Sequence, residues 1–260
     1  MSPGENPVRG DGSGDALRAA AAMVFVADLD VLDTPPDQSH HLSRVLRLRA
    51  GEAVAAGDGA GNWRVCRYRG GRSDGAESGT LLEPDGPVVS CPRPSPAITV
   101  AFVPVKGDRP EWTVQKLTEA GVDHIALLRS VRGVVRWEEE RQDKAIARLR
   151  RVAREAAAQS RRLWLPHVAG VLSIDALARD VSPVPLALAD PVGGPPTLRL
   201  PAVAIGPEGG WDPKETAAGR PVVGLGPRIL RAETAAVAAG LLLCALRDHM
   251  VAPSEGGGDA

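Results

Sequence analysis

The stretch Ala202-Val-Ala-Ile-Gly-Pro-Glu-Gly-Gly-Trp-Asp-Pro-Lys-Glu215 decides the fold, together with Val222-Val-Gly-Leu-Gly-Pro-Arg-Ile-Leu-Arg-Ala-Glu-Thr-Ala-Ala236 just after it. One design appears in it twice. A short apolar strand, 202–205 and then 222–225, runs into a Gly-Pro turn, then polar residues, then a helix. Loops that leave the carboxyl ends of neighbouring strands are where open α/β sheets bind ligands. Glycine lets the backbone approach a ligand closely, and proline fixes φ, so Pro207 and Pro227 stiffen their loops. One such turn is an ordinary strand-to-helix connection. Two elaborate ones in close succession predict a narrow, preformed pocket lined mainly by backbone groups.

Upstream, the rhythm is that of a layered α/β domain. Ala97-Ile-Thr-Val-Ala-Phe-Val103 is a near-continuous apolar run, as in a strand buried on both faces. A helix over 110–120 stops at Gly121, and His124–Leu128 is the next strand. A long helix follows over about 141–162, then a third strand, Leu186–Asp190, then the two strands of the opening stretch. This alternation predicts a largely parallel sheet. Ala235–Arg247 closes the domain as an Ala/Leu-rich helix.

Three prolines in Ser90-Cys-Pro-Arg-Pro-Ser-Pro96 mark a domain boundary. Before it lie short strands at Met23–Ala27, Glu52–Ala56, Trp63–Tyr68 and from Thr80, with a short helix over 40–49. The Gly-rich link 57–62 joins two strands and opens no helix, so it is a hairpin turn and not a phosphate loop. Strands spaced by turns predict a small β-barrel. The domain plan is therefore a disordered extension over 1–21, a barrel over 22–90, an α/β domain over 96–250 and a flexible tail over 251–260.

Three scattered cysteines, Cys66, Cys91 and Cys244, suggest neither a disulfide framework nor a zinc site, and no metal is expected. No apolar run reaches the ~20 residues of a membrane span, and the first residues lack the basic and apolar regions of a signal peptide. A reducing, cytoplasmic setting fits. A formal net charge of −1 says nothing about a nucleic-acid partner, but its distribution does. The long helix carries Lys144, Arg148, Arg151 and Arg162 near one stripe, opposite Ile146, Leu149, Val152 and Ala156. The first domain offers a second basic strip, His40, Arg44, Arg47 and Arg49. A charge run is usually a solvated face. Two strips on two domains of a nearly neutral chain point instead to a clamp on structured nucleic acid. Stacking aromatics are scarce, so contact by shape and phosphate is expected.

These motifs together resemble the ribosomal RNA small subunit methyltransferase E family of the SPOUT superfamily, 16S rRNA uridine-N3 methyltransferases. The resembling residues are His40-His with Val45-Leu-Arg47, Asp58-Gly-Ala-Gly61, Lys106-Gly-Asp-Arg109, Trp112, Gln115-Lys116, Glu119 and Gly121. Glu155-Ala, Gln159-Ser with Arg162, Ile205-Gly-Pro-Glu-Gly-Gly210 and Leu225-Gly-Pro-Arg-Ile-Leu-Arg231 with Glu233-Thr234 continue the order. The resemblance implies a PUA-like β-barrel before a SPOUT-type parallel sheet with a C-terminal trefoil knot. It implies a homodimer that binds S-adenosyl-L-methionine in the knot and methylates N3 of a uridine in 16S rRNA of the small ribosomal subunit. Family members open with a basic-aromatic strand, and here Ala21-Ala-Met-Val-Phe25 lacks the basic residues.

On this resemblance, the cofactor would be held by Leu188, Ala189, Ile205, Gly206, Pro207, Glu208, Gly209, Gly210, Leu225, Gly226, Pro227, Ile229, Leu230 and Thr234. RNA would meet His40, Arg44, Arg47, Lys106, Arg109, Arg148, Arg151 and Arg162. Uridine N3 is protonated near neutral pH, so the site must remove a proton and stabilise charge spread onto O2 and O4. Arg228 or Arg231 suits the second task. Glu208 or Glu233 suits the first, or attracts a sulfonium. Glu233 is equally suited to a helix first turn, and Glu208 to bracing its loop. Three other readings remain: a non-catalytic RNA-binding or ribosome-assembly factor on this fold, a SPOUT methyltransferase for another RNA nucleotide, and a dinucleotide- or ATP-binding enzyme. The last lacks both a G-x-G-x-x-G after the first α/β strand and a GxxxxGK[ST].

Overall fold

A computed structural model describes residues 13–34, 42, 46–70, 81–105, 107–133, 139–216 and 219–252. The chain forms two compact units, residues 1–93 with 157–165, and residues 94–156 with 166–260.

In the first unit, α1 (Ser13–Ala19) precedes β1 (Ala22–Phe25), β2 (Ala53–Gly57), β3 (Asn62–Tyr68), β4 (Leu82–Pro84) and β5 (Val89–Ser90). β1 pairs in parallel with β2, and β3 pairs antiparallel with β2, β4 and β5. The Gly-rich link is the turn of the β2–β3 hairpin. Asp58 organises it: its Oδ1 accepts from the backbone N–H of Ala60 and Asn62, and its Oδ2 from Asn62 Nδ2. Alternate strand residues feed two cores. Val24, Val54, Cys66 and Tyr68 fill one, while Met23, Phe25, Ala55 and Trp63 fill the other. The cysteines are free thiols, and burial pushes Cys66 up to about 11, so it stays protonated.

Two expectations change here. Residues 13–19, expected as disordered, are helical because Leu17 and Ala20 bury against Met23 and Phe25. A helix over 40–49 does not extend through its end: residues 46–49 are not helical and Arg47 takes φ 52. Most of that segment lies outside the described residues.

The second unit holds β6 (Thr99–Phe102), α2 (Arg109–Ala120), β7 (His124–Arg129) and most of α3 (Glu139–Gln159). β8 (His167–Ser173), α4 (Ile174–Asp180), β9 (Leu186–Gly194) and β10 (Ala202–Ile205) follow, then α5 (Pro213–Thr216), β11 (Val222–Val223) and α6 (Ala232–Arg247). The sheet order is β11-β9-β10-β6-β7-β8, and every neighbouring pair is parallel. Side chains alternate across it with the strand period of two. Val100, Phe102, Ile125, Leu127, Val203 and Ile205 face a core completed by α2, α3 and α6. Ala101, Ala126, Leu128, Leu188, Ala202 and Ala204 face the α4 side. This two-sided burial is why these strands read as unbroken apolar runs. Among the described residues, no helix is long and apolar enough to cross a membrane.

The basic helix ends earlier than its charge run. Arg161 takes φ 59, and the N–H groups of Arg161 and Arg162 donate to Ala158 O and Ala157 O. That is a helix-closing turn with a left-handed residue, here an arginine rather than the usual glycine. Residues 157–165 then belong to the first unit. There Trp164 Nε1 donates to Cys91 O, and Arg93 lies over the Trp164 ring. Arg162 is therefore not on the helix stripe of Arg148 and Arg151. It is half-buried, with its Nε donating to Trp164 O.

Candidate functional site

A cavity of about 230 Å³ opens beside the middle of β9 and the carboxyl end of β10, next to the loop after β11 and the start of α6. Its walls are Ala189, Asp190 and Pro191 of β9, Ile205–Glu208, Gly210 and Trp211 of the β10–α5 loop, and Leu225, Gly226, Arg228, Ile229 and Leu230 of the β11–α6 loop. Ala232 and Ala235 of α6 close it. The three strands that deliver these walls are neighbours, in the order β11-β9-β10. The repeated strand-to-loop design thus places both Gly-Pro loops around one space.

The first loop is tightly built. The Gly210 N–H donates to Pro207 O at 2.8 Å, and Gly210 takes φ 70, which only glycine adopts without strain. The Trp211 ring lies so close to Gly206 that a Cβ there would come within 2.9 Å of Cε2. Trp211 Nε1 donates to Ala189 O at 3.3 Å, tying the loop to the middle of β9.

The second loop is held at its ends. The Gly224 N–H donates to Gly194 O at 2.7 Å, and the Ala235 N–H to Arg231 O at 2.8 Å as α6 begins. Arg231 is the extended N-cap of α6, and its side chain makes no capping bond. Gly226 takes φ 119. At both Gly210 and Gly226 an added Cβ would meet nothing within 4 Å, so these backbones lie open to whatever fills the cavity. Ile205, Leu225, Leu230 and Ala235 supply apolar wall, and Asp190 and Glu208 supply carboxylates. This combination fits a nucleoside cofactor carrying a positive centre: apolar surface for the ring, bare backbone for its polar edges, anionic groups for the cation.

Of the expected cofactor residues, Ala189, Ile205, Gly206, Pro207, Glu208, Gly210, Leu225, Gly226, Ile229 and Leu230 stand in the walls. Leu188, Gly209, Pro227 and Thr234 do not. Leu188 packs in the buried cluster on the α4 side of the sheet. The Gly209 carbonyl accepts from Arg132 Nη1, while Pro227 and Thr234 are exposed. Asp190, the end of the strand expected to complete this wall, also lines it, whereas Pro191, Trp211, Ala232 and Ala235 were not expected. Trp211, an aromatic directly after the glycine pair, was the one with a visible signal.

The four charged candidates separate by environment. Arg228 and Arg231 are exposed, and their side chains have no hydrogen-bond or ion-pair partner among the described residues. Glu208 is exposed and lines the cavity. Glu233 is largely buried and does not line it. Its Oε1 lies 3.3 Å from Arg109 Nη1, and its buried Oε2 has no partner among the described residues. Glu233 thus engages an expected RNA contact rather than the cavity.

On α3, Arg148 and Arg151 are exposed, and Arg148 Nε lies 3.1 Å from Glu111 Oε1 at the start of α2. Glu111 is partly buried, but the Arg148 side chain is well exposed, and an ion pair with one partner in solvent contributes about 1 kcal/mol, so Arg148 is available to a phosphate. Arg47 is exposed in the first unit. His40, Arg44 and Lys106 lie outside the described residues. Among the described residues, no group of three or more His, Cys, Asp or Glu is placed to hold a metal.

Comparison with known proteins bears on this geometry. Residues 92–243 match the family model of the RNA methyltransferase domain, and residues 34–74 match that of the RNA methyltransferase PUA domain. The chain is 34% identical over 241 residues to the ribosomal RNA small subunit methyltransferase E of Mycobacterium bovis, covering 83% of this chain and 90% of that protein. A Synechocystis protein of the same name is 35% identical over 217 residues, covering 76% of this chain and 67% of that protein. Among solved structures, the Neisseria gonorrhoeae ribosomal RNA small subunit methyltransferase E, bound to S-adenosyl methionine, superposes with a TM-score of 0.69. It is 27% identical, covering 87% of this chain and 96% of that one. With a parallel-sheet domain behind a PUA-like domain and both glycine-proline loops around one cavity, the chain belongs to the ribosomal RNA small subunit methyltransferase E family.

Proposed function

We propose that this protein transfers a methyl group from S-adenosyl-L-methionine to N3 of a uridine in 16S rRNA of the small ribosomal subunit. The observation that carries the reading is the cavity itself: two bare glycine backbones and two carboxylates inside, with unpartnered arginines beside it. When bound, the cofactor supplies an electrophilic methyl on a sulfonium. The chain's residues do the rest. Gly206, Gly210 and Gly226 offer backbone groups to the adenosine, and Glu208 and Asp190 favour the sulfonium electrostatically. Arg228 and Arg231 stabilise the charge that spreads onto O2 and O4 once N3 loses its proton. Glu208, as the exposed carboxylate on the wall, is placed to accept that proton. Arg109, Arg148, Arg151 and Arg47 bind phosphates, and His40, Arg44, Lys106 and Arg162 complete that set in our reading.

Two further features belong to this reading. The chain forms a trefoil knot where β11 meets β9. There Val222 pairs with Leu188 but Val223 with Gly194, and a Cβ on Gly193 or Gly224 would collide with the other strand's backbone. Two backbones that close to each other suit one segment drawn through another. The protein is a homodimer, and the outward Leu241 and Leu242 of α6 form part of its contact. A reaction on ribosomal RNA places it in the cytoplasm.

Mass mapping of 16S rRNA from a strain without this gene tests the assignment. One uridine should lose its N3-methyl, and the wild-type gene but not the Arg231→Ala variant should restore it. An unchanged map, or a methyl lost from another base, overturns it.

A further inference from the structure

The loop after β7, Ser130–Gly133, lies outside the cavity, yet two side chains lock it to the β10–α5 loop. Glu215 of α5 is only 8% exposed. Its Oε2 accepts from Ser130 Oγ at 3.1 Å and from the Asp212 N–H at 2.9 Å, and its Oε1 accepts from the Val131 N–H at 3.2 Å. A carboxylate this buried persists where donors satisfy it, and here all three come from the two loops it joins. Arg132 reaches across in the opposite sense. Its Nη1 donates to Gly209 O at 2.9 Å, and its Nε lies 3.7 Å from Asp212 Oδ2.

The anchor points decide what this clamp does. Gly209 and Asp212 bracket Gly210 and Trp211, both of which stand in the cavity wall. Trp211 in turn covers Gly206 and bonds Ala189 O. Neither Arg132 nor Glu215 lines the cavity. Fixing the residues on either side of Trp211 fixes the height of its ring, and with it the width of the space between the two Gly-Pro loops.

We propose that Arg132 and Glu215 are positioning residues that set cofactor affinity from outside the cavity, through Trp211. The inference rests on the reading that S-adenosyl-L-methionine occupies this cavity. It assigns the β7–α3 loop a role in that site which no part of the glycine-proline motifs contains.

Calorimetric titration of S-adenosyl-L-methionine into the full-length wild type, Arg132→Ala, Arg132→Lys and Glu215→Gln tests it. It is paired with steady-state kinetics, an RNA-binding assay and melting curves. Arg132→Ala should weaken cofactor binding about tenfold, the worth of one charge-assisted hydrogen bond. KM for the cofactor should rise in step, while kcat at saturating cofactor, RNA affinity and the melting temperature stay near wild type. Arg132→Lys should recover part of the loss, because an ammonium reaches one of the two acceptors but lacks the fork that spans both. Glu215→Gln should lose affinity too, since one oxygen becomes a donor facing donors.

Unchanged cofactor affinity in Arg132→Ala overturns the proposal. So does a loss of RNA affinity with cofactor affinity intact, which would make Arg132 a phosphate contact. A wild type that does not bind the cofactor overturns the cofactor reading itself, whatever the variants do. Arg132 is exposed, so its variants fold even if Glu215→Gln does not, and they alone decide the matter.

Discussion

The two Gly-Pro loops share a sequence design but not a physical one. The β10–α5 loop is braced throughout: Gly210 to Pro207, Trp211 to Ala189, Gly209 to Arg132, Asp212 to Glu215. The β11–α6 loop is fastened at Gly224 and Arg231, and between them it presents Arg228 and Ile229 to solvent. One loop is a finished wall. The other is a wall whose Arg228 and Ile229 side chains are left exposed. A preorganised wall lowers the cost of binding the cofactor; in the proposed reaction, the free Arg228 and Arg231 side chains reserve their interaction energy for the substrate and the charge that develops on it. Glycine and proline thus set where a loop goes, and its neighbours set whether it is rigid.

The largest effects should come from separating the two functions. Replacing Arg228 and Arg231 together with Ala should lower turnover about 10²–10³-fold, the scale for removing donors from developing charge. Cofactor affinity by calorimetry should stay within about twofold. If affinity falls in step with rate, the second loop is a binding wall like the first and the contrast fails.

Gly206→Val attacks the braced loop instead. The new side chain meets the Trp211 ring within 2.9–3.2 Å already at its Cβ. Trp211 is tied to Ala189 and cannot yield freely, so the strain of overpacking falls on the wall. Cofactor affinity should drop about ten- to hundredfold. Gly226→Ala makes the internal control, since its Cβ meets nothing within 4 Å and only the φ of 119 opposes it. An equal loss in both variants would mean that backbone conformation, not the Trp211 contact, governs the first loop.

Trp211→Ala removes the ring and its bond to β9 while leaving the backbone free. Cofactor binding should weaken about tenfold, with a stability loss of about 1–2 kcal/mol because the ring is only half-buried. Chemical denaturation and titration of the same variant would show whether the two losses are of that size. Intact affinity would detach Trp211, and the clamp behind it, from the cofactor.

How much of this was legible in the sequence follows from the range of the interactions. The central strands were readable because burial on both faces leaves them almost wholly apolar, with Thr99 the one polar residue of Ile98–Val103 and none in Ala202–Ile205. The cavity was readable because its two loops are local motifs on strands that join through β9. β8 was missed: it is an edge strand with mixed burial and Gly170 in its middle, so its apolar signal is diluted. The end of α3 was misplaced because an arginine, not a glycine, takes the left-handed position. The attachment of residues 157–165 to the first unit left no signature either, since it depends on partners such as Cys91 and Ala20 far away in sequence. Arg132 and Glu215 are invisible for the same reason: each looks like an ordinary surface charge until the sheet brings their loops together.

The smallest effect is the most discriminating. Ile229 is 92% exposed although it lines the cavity. In the free protein its side chain stabilises almost nothing, so Ile229→Ala should leave stability within about 0.5 kcal/mol of wild type. Covered by a ligand, the lost apolar groups would each be worth about 0.8 kcal/mol, and part of that coverage corresponds to a two- to fivefold loss, roughly, in one binding constant. Which constant moves says what the second loop closes on. A rise in the cofactor dissociation constant means that the loop folds over the adenosine. A rise in KM for RNA with cofactor affinity unchanged means that Ile229 packs against the nucleotide. If neither moves and stability falls instead, Ile229 is part of the fold, and the second loop is no more open than the first.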